Sequence, residues 1–388
     1  MERFDAIVVG GGPAGAAAAR VLAEGGARVV LLEKQSYPRV KVCGGGLLPR
    51  ALATLPTGFA LPVERTCPSA TLDLGIGGRR FEVNRGSPVV TMTMRAAFDA
   101  ALAQAAASAG AVVRDGQPVR GATHDGGLWR VAVDHDTVVA PLVVGADGAT
   151  GVVGRAAGFA PLPLTIPALE AEVEVAAPGA GVANSARFVL GVPRDGYAWI
   201  FPKATHLSVG VLTMSSRPVN LHALLREFLD HAGIRVTRWL SERGAPIPIR
   251  VRPGGCARDG VLLTGDAAGL VDPVTAEGIG NALLSGALAA RAALEAAGDP
   301  ETACARYGTA LKTGILDDLI IARLPANVLY FHPHLSAFLF ARAGQPVCNG
   351  VARVALGPRT WRQSLLNPAG WGRLARRVVT GSYRSPRV

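Results

Sequence analysis

The sequence predicts an α/β fold: a discontinuous domain with a parallel, doubly wound sheet, an interleaved α+β domain with a mostly antiparallel sheet, and a helical C-terminal region. Three observations carry this. In Asp5–Glu33 an apolar run, a glycine turn, an alanine-rich helix and a second apolar run make one βαβ unit. The same buried-strand texture returns far along the chain at Leu142–Gly145 and Val261–Thr264, so the parallel sheet is assembled from separated pieces. Between about Gly158 and Ala257 the texture changes to strand-like runs around one amphipathic helix.

Within the first unit Gly10, Gly12 and Gly15 have the G-x-G-x-x-G spacing. Gly10 permits the tight turn, Gly12 lets backbone approach a pyrophosphate, and Gly15 lets the helix pack close to the strand. Pro13 and Ala14 open that helix, whose positive end would hold the phosphates. Glu33 ends the second strand, where an acid is needed for ribose hydroxyls. The unit therefore reads as Rossmann-type and dinucleotide-binding. Lys34 to Pro49 follows as a glycine-rich loop, and Ala51 to Thr66 reads as helical at first and then irregular. Leu72 to Val83 reads as a hairpin and Val89 to Met92 as a strand. Arg95 leads into a helix, Ala96–Ala109, closed by Gly110; it is either a surface residue or one reaching toward a nucleotide. Ala111–Val113 and Trp129–Val133 read as short strands, the second followed by a polar turn at Asp134–Asp136. Leu142–Gly145 ends at Asp147-Gly148, either a plain turn or a ligand site of the kind found at strand ends in open α/β sheets.

In the second region Leu169–Val175, Ala186–Leu190 and Leu207–Leu212 are strand-like. One helix is capped by Asn220 and carries Leu221, Leu224, Leu225, Phe228 and Leu229 on a single face. Val261–Thr264 restores the buried strand and leads into Gly265-Asp266-Ala267-Ala268-Gly269. Gly278 and Ile279 then open a long small-residue helix. A ligand addressed by the helix ends at Gly12 and Gly278 must be long. One end would take the pyrophosphate; the other suits a group that gains negative charge on reduction, such as the N1–C2=O edge of a flavin. Asp299-Pro300 starts a further helix. Ile315–Phe340 is apolar but broken by Asp317, Asp318, Arg323, Pro325, His332, Pro333 and His334. It reads as a helical hairpin that covers a cavity or rests on a bilayer, not as a span.

Charge and cysteine usage bound the setting. The 388 residues carry a net charge of +11. Ten arginines and no Asp, Glu or Lys lie between Leu319 and Val388, leaving 30 basic against 29 acidic residues in the first 318 positions. So local an excess suits an anionic surface, lipid headgroups or nucleic acid, or else is a solvated basic tail. The five scattered cysteines form no C-x-x-C pair, which argues against a disulfide framework or metal site and for a reducing, cytoplasmic setting. The N-terminal apolar run holds the glycine turn, so it reads as a buried strand rather than a signal peptide. None of the seven histidines lies in a motif.

With these motifs in place the chain resembles the FAD-dependent oxidoreductases of the aromatic-hydroxylase fold over nearly its whole length. The resemblance makes Gly10, Gly12 and Gly15 the phosphate fingerprint, Glu33 the ribose acid, Arg95 a flavin contact and Asp147-Gly148 the Asp-Gly motif. It makes Gly265-Asp266 the Gly-Asp motif whose Asp holds the ribityl chain, and it adds Lys34 and Val119 to the cofactor contacts. Gly151 departs from it, since many members have Ser there. Two further stretches, Pro38–Leu47 with its Cys43-Gly44-Gly45-Gly46 and Tyr197-Ala198-Trp199-Ile200-Phe201-Pro202-Lys203, are similar to signatures of the geranylgeranyl reductase family. The C-terminal helical stretch, Ala322–Pro333 with Gly357–Leu365, is similar to that family's as well.

The resemblance implies a Rossmann-type FAD-binding domain over 1–70, 89–157 and 258–312, a substrate-binding domain over 71–88 and 158–257, and a helical basic region over 313–388. It implies reduction of isolated C=C bonds in the prenyl chain of a lipid, quinone or pigment, with hydride from flavin N5. NADPH, NADH or ferredoxin would be the reductant, and the setting a peripheral membrane surface without nucleic acid. Cys43, Gly45, Tyr197 and Trp199 become the candidates facing substrate and flavin. Cys43 either covers the flavin or packs as a small hydrophobe, and the Tyr197/Trp199/Phe201 face is either a tunnel wall or a core stripe. The residues also admit a flavin monooxygenase or halogenase acting on a small aromatic or polyketide, a flavoprotein without net redox, or a non-enzymatic lipid- or nucleic-acid-binding module.

Overall fold

The computed structural model describes residues 1–75, 77–134, 136–176, 180–215, 218–357, 359–367 and 372. Its parallel sheet runs in the order Ala257–Arg258, Val261–Leu263, Leu142–Gly145, Ala6–Val9, Val29–Leu32, Val112–Arg114. Only the first of these is antiparallel to its neighbour. The four central strands are buried at every residue, which is why they read as unbroken apolar runs without alternation. The helices Pro13–Glu24 and Ile279–Glu295 pack against each other at backbone distance. A Cβ on Gly286 would come within 2.0 Å of the Ala14 carbonyl oxygen. One on Gly15 would come within 1.8 Å of the Gly10 oxygen. Contacts this close explain why the two helices are so rich in Ala and Gly.

A second, seven-stranded sheet runs Val236–Pro248, Thr165–Val175, Leu207–Thr213, Gly196–Pro202, Ser185–Leu190, Ser69–Leu74, Arg80–Asn84. All neighbours are antiparallel except Ser185–Leu190 with Ser69–Leu74. The segments 71–84 and 165–248 thus meet in one sheet. The helix Leu221–His231 covers one face, burying Leu225, Phe228 and Leu229 against Leu169, Val209 and Val211. Its cap forms as expected: the Asn220 side chain accepts from the Ala223 N–H at 3.0 Å.

Several strands differ from the sequence reading. Val119–Asp125 and Asp136–Ala140 flank Leu128–Val133 in a small sheet with Glu2–Arg3, so Asp136 begins a strand instead of closing a turn; His135 lies outside the described residues. Val236–Pro248 pairs along all of Thr165–Val175. Val119–Asp125 and Val236–Pro248 are largely solvent-facing, polar edge strands, and backbone pairing there leaves no hydrophobic alternation to read. The helix expected from Ala51 shrinks to Pro49–Leu52, and Arg65–Cys67 pairs with Val90–Met92 in a three-stranded sheet.

The C-terminal helices Asp317–Phe331, Pro333–Ala355 and Trp361–Leu365 cover the second sheet's outer hairpin. Phe340 stacks on Phe81 with centroids 5.7 Å apart, and Gln345 donates to the Glu82 carbonyl at 2.6 Å. The long helix kinks at Ala343 (φ −143°, ψ 32°), because Pro346 has no N–H and crowds the carbonyl four residues back. No helix among the described residues is long and apolar enough to cross a membrane. Beyond Asn367 the basic tail, except Gly372, lies outside the described residues.

Candidate functional site

One cavity of about 1300 Å³ runs from the glycine turn, across the carboxyl ends of Ala6–Val9 and Leu142–Gly145, to the C-terminal helices. At its first end Gly10, Gly12, Pro13 and Ala14 line the wall. Gly12 caps the helix, and the only heavy atom near a Cβ built there belongs to the Arg39 guanidinium at 3.7 Å, so a free backbone cradle faces the cavity. Glu33 accepts from the Gly11 N–H at 2.8 Å and the Gln35 N–H at 3.1 Å. Arg39, missed by the sequence reading, pairs with Glu33 at 3.2 Å and with Asp99 at 3.1 Å. Asp99 in turn takes both arms of Arg95, at 2.9 and 2.8 Å. Arg95 is therefore neither a surface residue nor a free arm; it is buried and oriented while still lining the cavity. Lys34 and Val119 also line this end.

Asp147 accepts from the Val152 and Val153 N–H groups at 2.6 and 2.9 Å through one oxygen, while the other has no hydrogen-bond partner. Burial raises its pKa, with those N–H groups opposing the shift. The glycine at 151 has a steric reason: a Cβ there would lie 2.1 Å from the Asp147 carboxyl carbon. Gly148, Asp266, Gly278 and Ile279 line the middle of the cavity, where the helix Ile279–Glu295 points its N-terminus inward. Gly15 and Gly265 do not line it. Their places are taken up by packing: Gly15 meets the Gly10 backbone, and Gly265 sits against Ala14 and Ala282.

Cys43, Gly44 and Gly45 form a loop between this middle and a chamber whose wall is Tyr197, Trp199 and Phe201. These three alternate along Gly196–Pro202, so they share a face, with successive ring centroids 6.2 and 6.3 Å apart. They are both core and wall, buried in the cluster with Phe81 and Phe340 yet lining the cavity. Tyr197 donates to the Thr275 carbonyl at 2.7 Å, and Trp199 Nε1 has no partner. The loop's glycines are fixed by their neighbours. A Cβ on Gly44 would lie 2.8 Å from the Phe201 ring, and one on Gly45 (φ +65°) would lie 2.0 Å from the Thr93 oxygen.

Beneath the loop the fully buried Lys203 donates to the Gly44 and Thr93 carbonyls at 2.8 and 2.9 Å, with its pKa lowered by that burial. Its structural role was not read from sequence, although it closes the aromatic motif. The cleft can take a long ligand with an anionic middle and a planar end, and the open Gly12 cradle, the inward helix ends and the unpaired Asp147 oxygen fit FAD.

The FAD binding domain family model matches residues 3–215. The digeranylgeranylglycerophospholipid reductase 1 of Methanopyrus kandleri is 32% identical over 84% of this chain and 90% of its own. The chain belongs to the FAD-dependent geranylgeranyl reductase family. The menaquinone reductase of Mycolicibacterium smegmatis, also 32% identical, matches 74% of this geranylgeranyl reductase family chain and 76% of its own. Among solved structures, a geranylgeranyl bacteriochlorophyll reductase-like protein from Thermoplasma acidophilum shares the fold with a TM-score of 0.78, at 23% identity over 98% of this chain and 97% of that one.

Proposed function

We propose that the protein saturates isolated C=C bonds in the prenyl chain of a lipid, quinone or pigment. The observation that carries this is the continuity of the cavity: the cleft that fits FAD opens, past Cys43–Gly45, into a chamber walled by aromatic side chains and roofed by apolar helices. Bound FAD, once reduced, supplies the hydride. Gly12, Pro13 and Ala14 would hold its pyrophosphate, Glu33 the ribose, and Lys34, Arg95, Val119 and Asp147 the cleft around them. Asp266 would take the ribityl chain, and the Gly278–Ile279 helix end the ring edge where charge collects on reduction. Gly15 and Gly265 serve by close packing. Cys43, Gly44 and Gly45 keep that ring edge clear of bulk, while Tyr197, Trp199 and Phe201 align the alkene and exclude water.

This division corresponds to FAD-binding segments 1–70, 89–157 and 258–312, substrate-binding segments 71–88 and 158–257, and a basic C-terminal region, 313–388, whose described helices cover the chamber. An unactivated alkene is a poor hydride acceptor, so positioning must supply much of the rate. Electrons reach the flavin from a separate donor, NADPH, NADH or ferredoxin, as suits a chain with one dinucleotide fingerprint.

In the anaerobic test, protein reduced with dithionite and given geranylgeranyl lipids should yield chains heavier by pairs of hydrogens in mass spectrometry. No saturated product from prenyl lipid, quinone or pigment substrates would sink the proposal. Oxygen-dependent hydroxylation or halogenation of an aromatic would replace it with the monooxygenase reading.

The substrate side further suggests docking on a membrane. Ile320, Leu324, Phe331, Leu335 and Phe338 are large, apolar and exposed on two of the covering helices, in a region whose only charged side chains from 319 onward are arginines. Leu324 and the exposed Leu366 also line the cavity, so the mouth and the apolar patch adjoin. The double change Leu324→Asp, Phe338→Asp should abolish flotation with anionic liposomes while leaving bound FAD unchanged. Flotation equal to that of the unaltered protein would remove the membrane from the proposal.

A further inference from the structure

Saturating an alkene needs a proton as well as a hydride, and the second sheet holds a group placed to give it. Across three strands Trp199 stands opposite Gly210, and Gly210 opposite Glu170; one step on, Phe201 faces Ser208 and Ser208 faces Glu172. Directly opposed residues share a face, so both carboxyls lie on the side of the aromatic wall. The indole ring covers Gly210, where a Cβ would come within 2.2 Å of it, and Glu170 lines the cavity beyond. Nine buried polar side-chain atoms among the described residues have no hydrogen-bond partner, and five belong to this one face: Glu170 Oε2, Glu172 Oε2, Ser208 Oγ, His206 Nε2 and Trp199 Nε1. Leaving so many polar atoms without a hydrogen bond in one place is costly and marks the face as more than packing.

We propose that Glu170 is the acid that protonates the alkene, and that Glu172 and His206 form the path by which solvent reprotonates it. The proposal rests on the prenyl-reductase reading above and supplies the proton that reading requires. Glu170 gives its carboxyl proton to one alkene carbon while the other carbon takes hydride from the reduced flavin. The π bond is replaced by two C–H bonds, the flavin is left oxidised by two electrons, and Glu170 is left as carboxylate. The next proton has a short route. Glu172 is two residues along the same strand and on the same face, with about 7 Å between the two backbone positions, so the side chains can be linked through water. His206 Nε2 stands 2.9 Å from Glu172 Oε2, at ion-pair distance but without hydrogen-bond alignment. His206 Nδ1 is in turn 3.3 Å from the hydroxyl of Thr205 at the exposed surface. Dithionite serves as the two-electron reductant in the test.

The carboxyl is also in the right state. Burial, then repulsion from Glu172, pushes Glu170 up to about 8, against the opposing pull of Lys203, Arg95 and the Cys43 N–H. Leu207–Thr213 presents Gly210 to it, without charge, and Arg243 on the outer strand is exposed to solvent. Glu170 is therefore protonated at neutral pH and near its point of ionisation, as a general acid should be.

The test compares the FAD-loaded protein with Glu170→Gln, and with Glu170→Asp should the first fold poorly. Glu170→Gln should keep its FAD and accept electrons from dithionite normally, yet reduce the prenyl substrate at least ~100-fold more slowly. The unaltered protein's rate should fall above about pH 8, and that limb should move or vanish in the variants. A second readout needs no turnover. A folded state that keeps a proton the unfolded chain has released loses stability as pH rises, so the unaltered protein should lose stability relative to Glu170→Gln between about 4.5 and about 8, and no further above. A difference that does not change with pH, or a variant that reduces substrate at the unaltered rate and pH profile, overturns the assignment of Glu170 alone. Absence of product from the unaltered protein overturns the reductase reading, and the assignment with it.

Discussion

Gly15→Ala should strip the protein of FAD and lower its stability by about 3 kcal/mol, although alanine is the better helix former. The gain in helix propensity is only about 1 kcal/mol. Against it, the new Cβ would sit 1.8 Å from the Gly10 oxygen and 3.2 Å from the Ala146 Cβ, so the whole helix Pro13–Glu24 must move off the sheet. That movement opens the Gly12 cradle and releases Ala14 from Gly286. Gly308→Ala is the control. It too lies within a helix, Pro300–Leu311, but nothing comes within 4 Å of its Cβ, so the same substitution should be neutral or stabilising by up to about 1 kcal/mol. Flavin absorbance after purification and chemical denaturation measure both effects; equal behaviour of the two variants would refute the packing argument.

Lys203→Met should cost about 3 kcal/mol and loosen the loop at Cys43–Gly45. Removing a buried cation can be neutral when apolar packing replaces it. Here that gain is outweighed, because the Gly44 and Thr93 carbonyls both lose their donor and Glu172 loses a neighbouring cation. Each stranded buried group costs about 1–3 kcal/mol. Denaturant titration should show the loss of stability, and in prenyl reduction KM should rise while the rate falls, because the loop borders both flavin and substrate. Unchanged stability would mean that the two carbonyls find other partners.

The parts of the molecule that were legible in the sequence are those whose reasons are local. The βαβ unit at Asp5–Glu33 reads out because turn, helix and both strands lie within thirty residues and every strand position is buried. The aromatic strand reads out because alternation puts Tyr197, Trp199 and Phe201 on one face whatever lies opposite. Glu170, Glu172 and His206 were silent for the converse reason. Their chemistry comes from the register of Thr165–Val175 against Leu207–Thr213, and register depends on partners no short window contains. Arg39 and Lys203 fall within motif stretches, but their roles lie in distant backbone and carboxylates: Gly44, Thr93, Glu33 and Asp99. Gly151 ran the other way, a departure from the family pattern at a position where the Asp147 carboxylate occupies the space that a side chain would take.

The cavity's being one space and not two has a consequence for substrate choice. Whatever room a bound cofactor fills would be withdrawn from the substrate, so its ring would itself form part of the chamber's floor. The distance from that floor to the kinked helix at Ala343 would then work as a ruler. Tail length would be selected by how far a chain can slide before its end meets the roof, and a bulkier side chain at Gly350 or Val351, which line that roof, would shorten the scale without touching the chemistry.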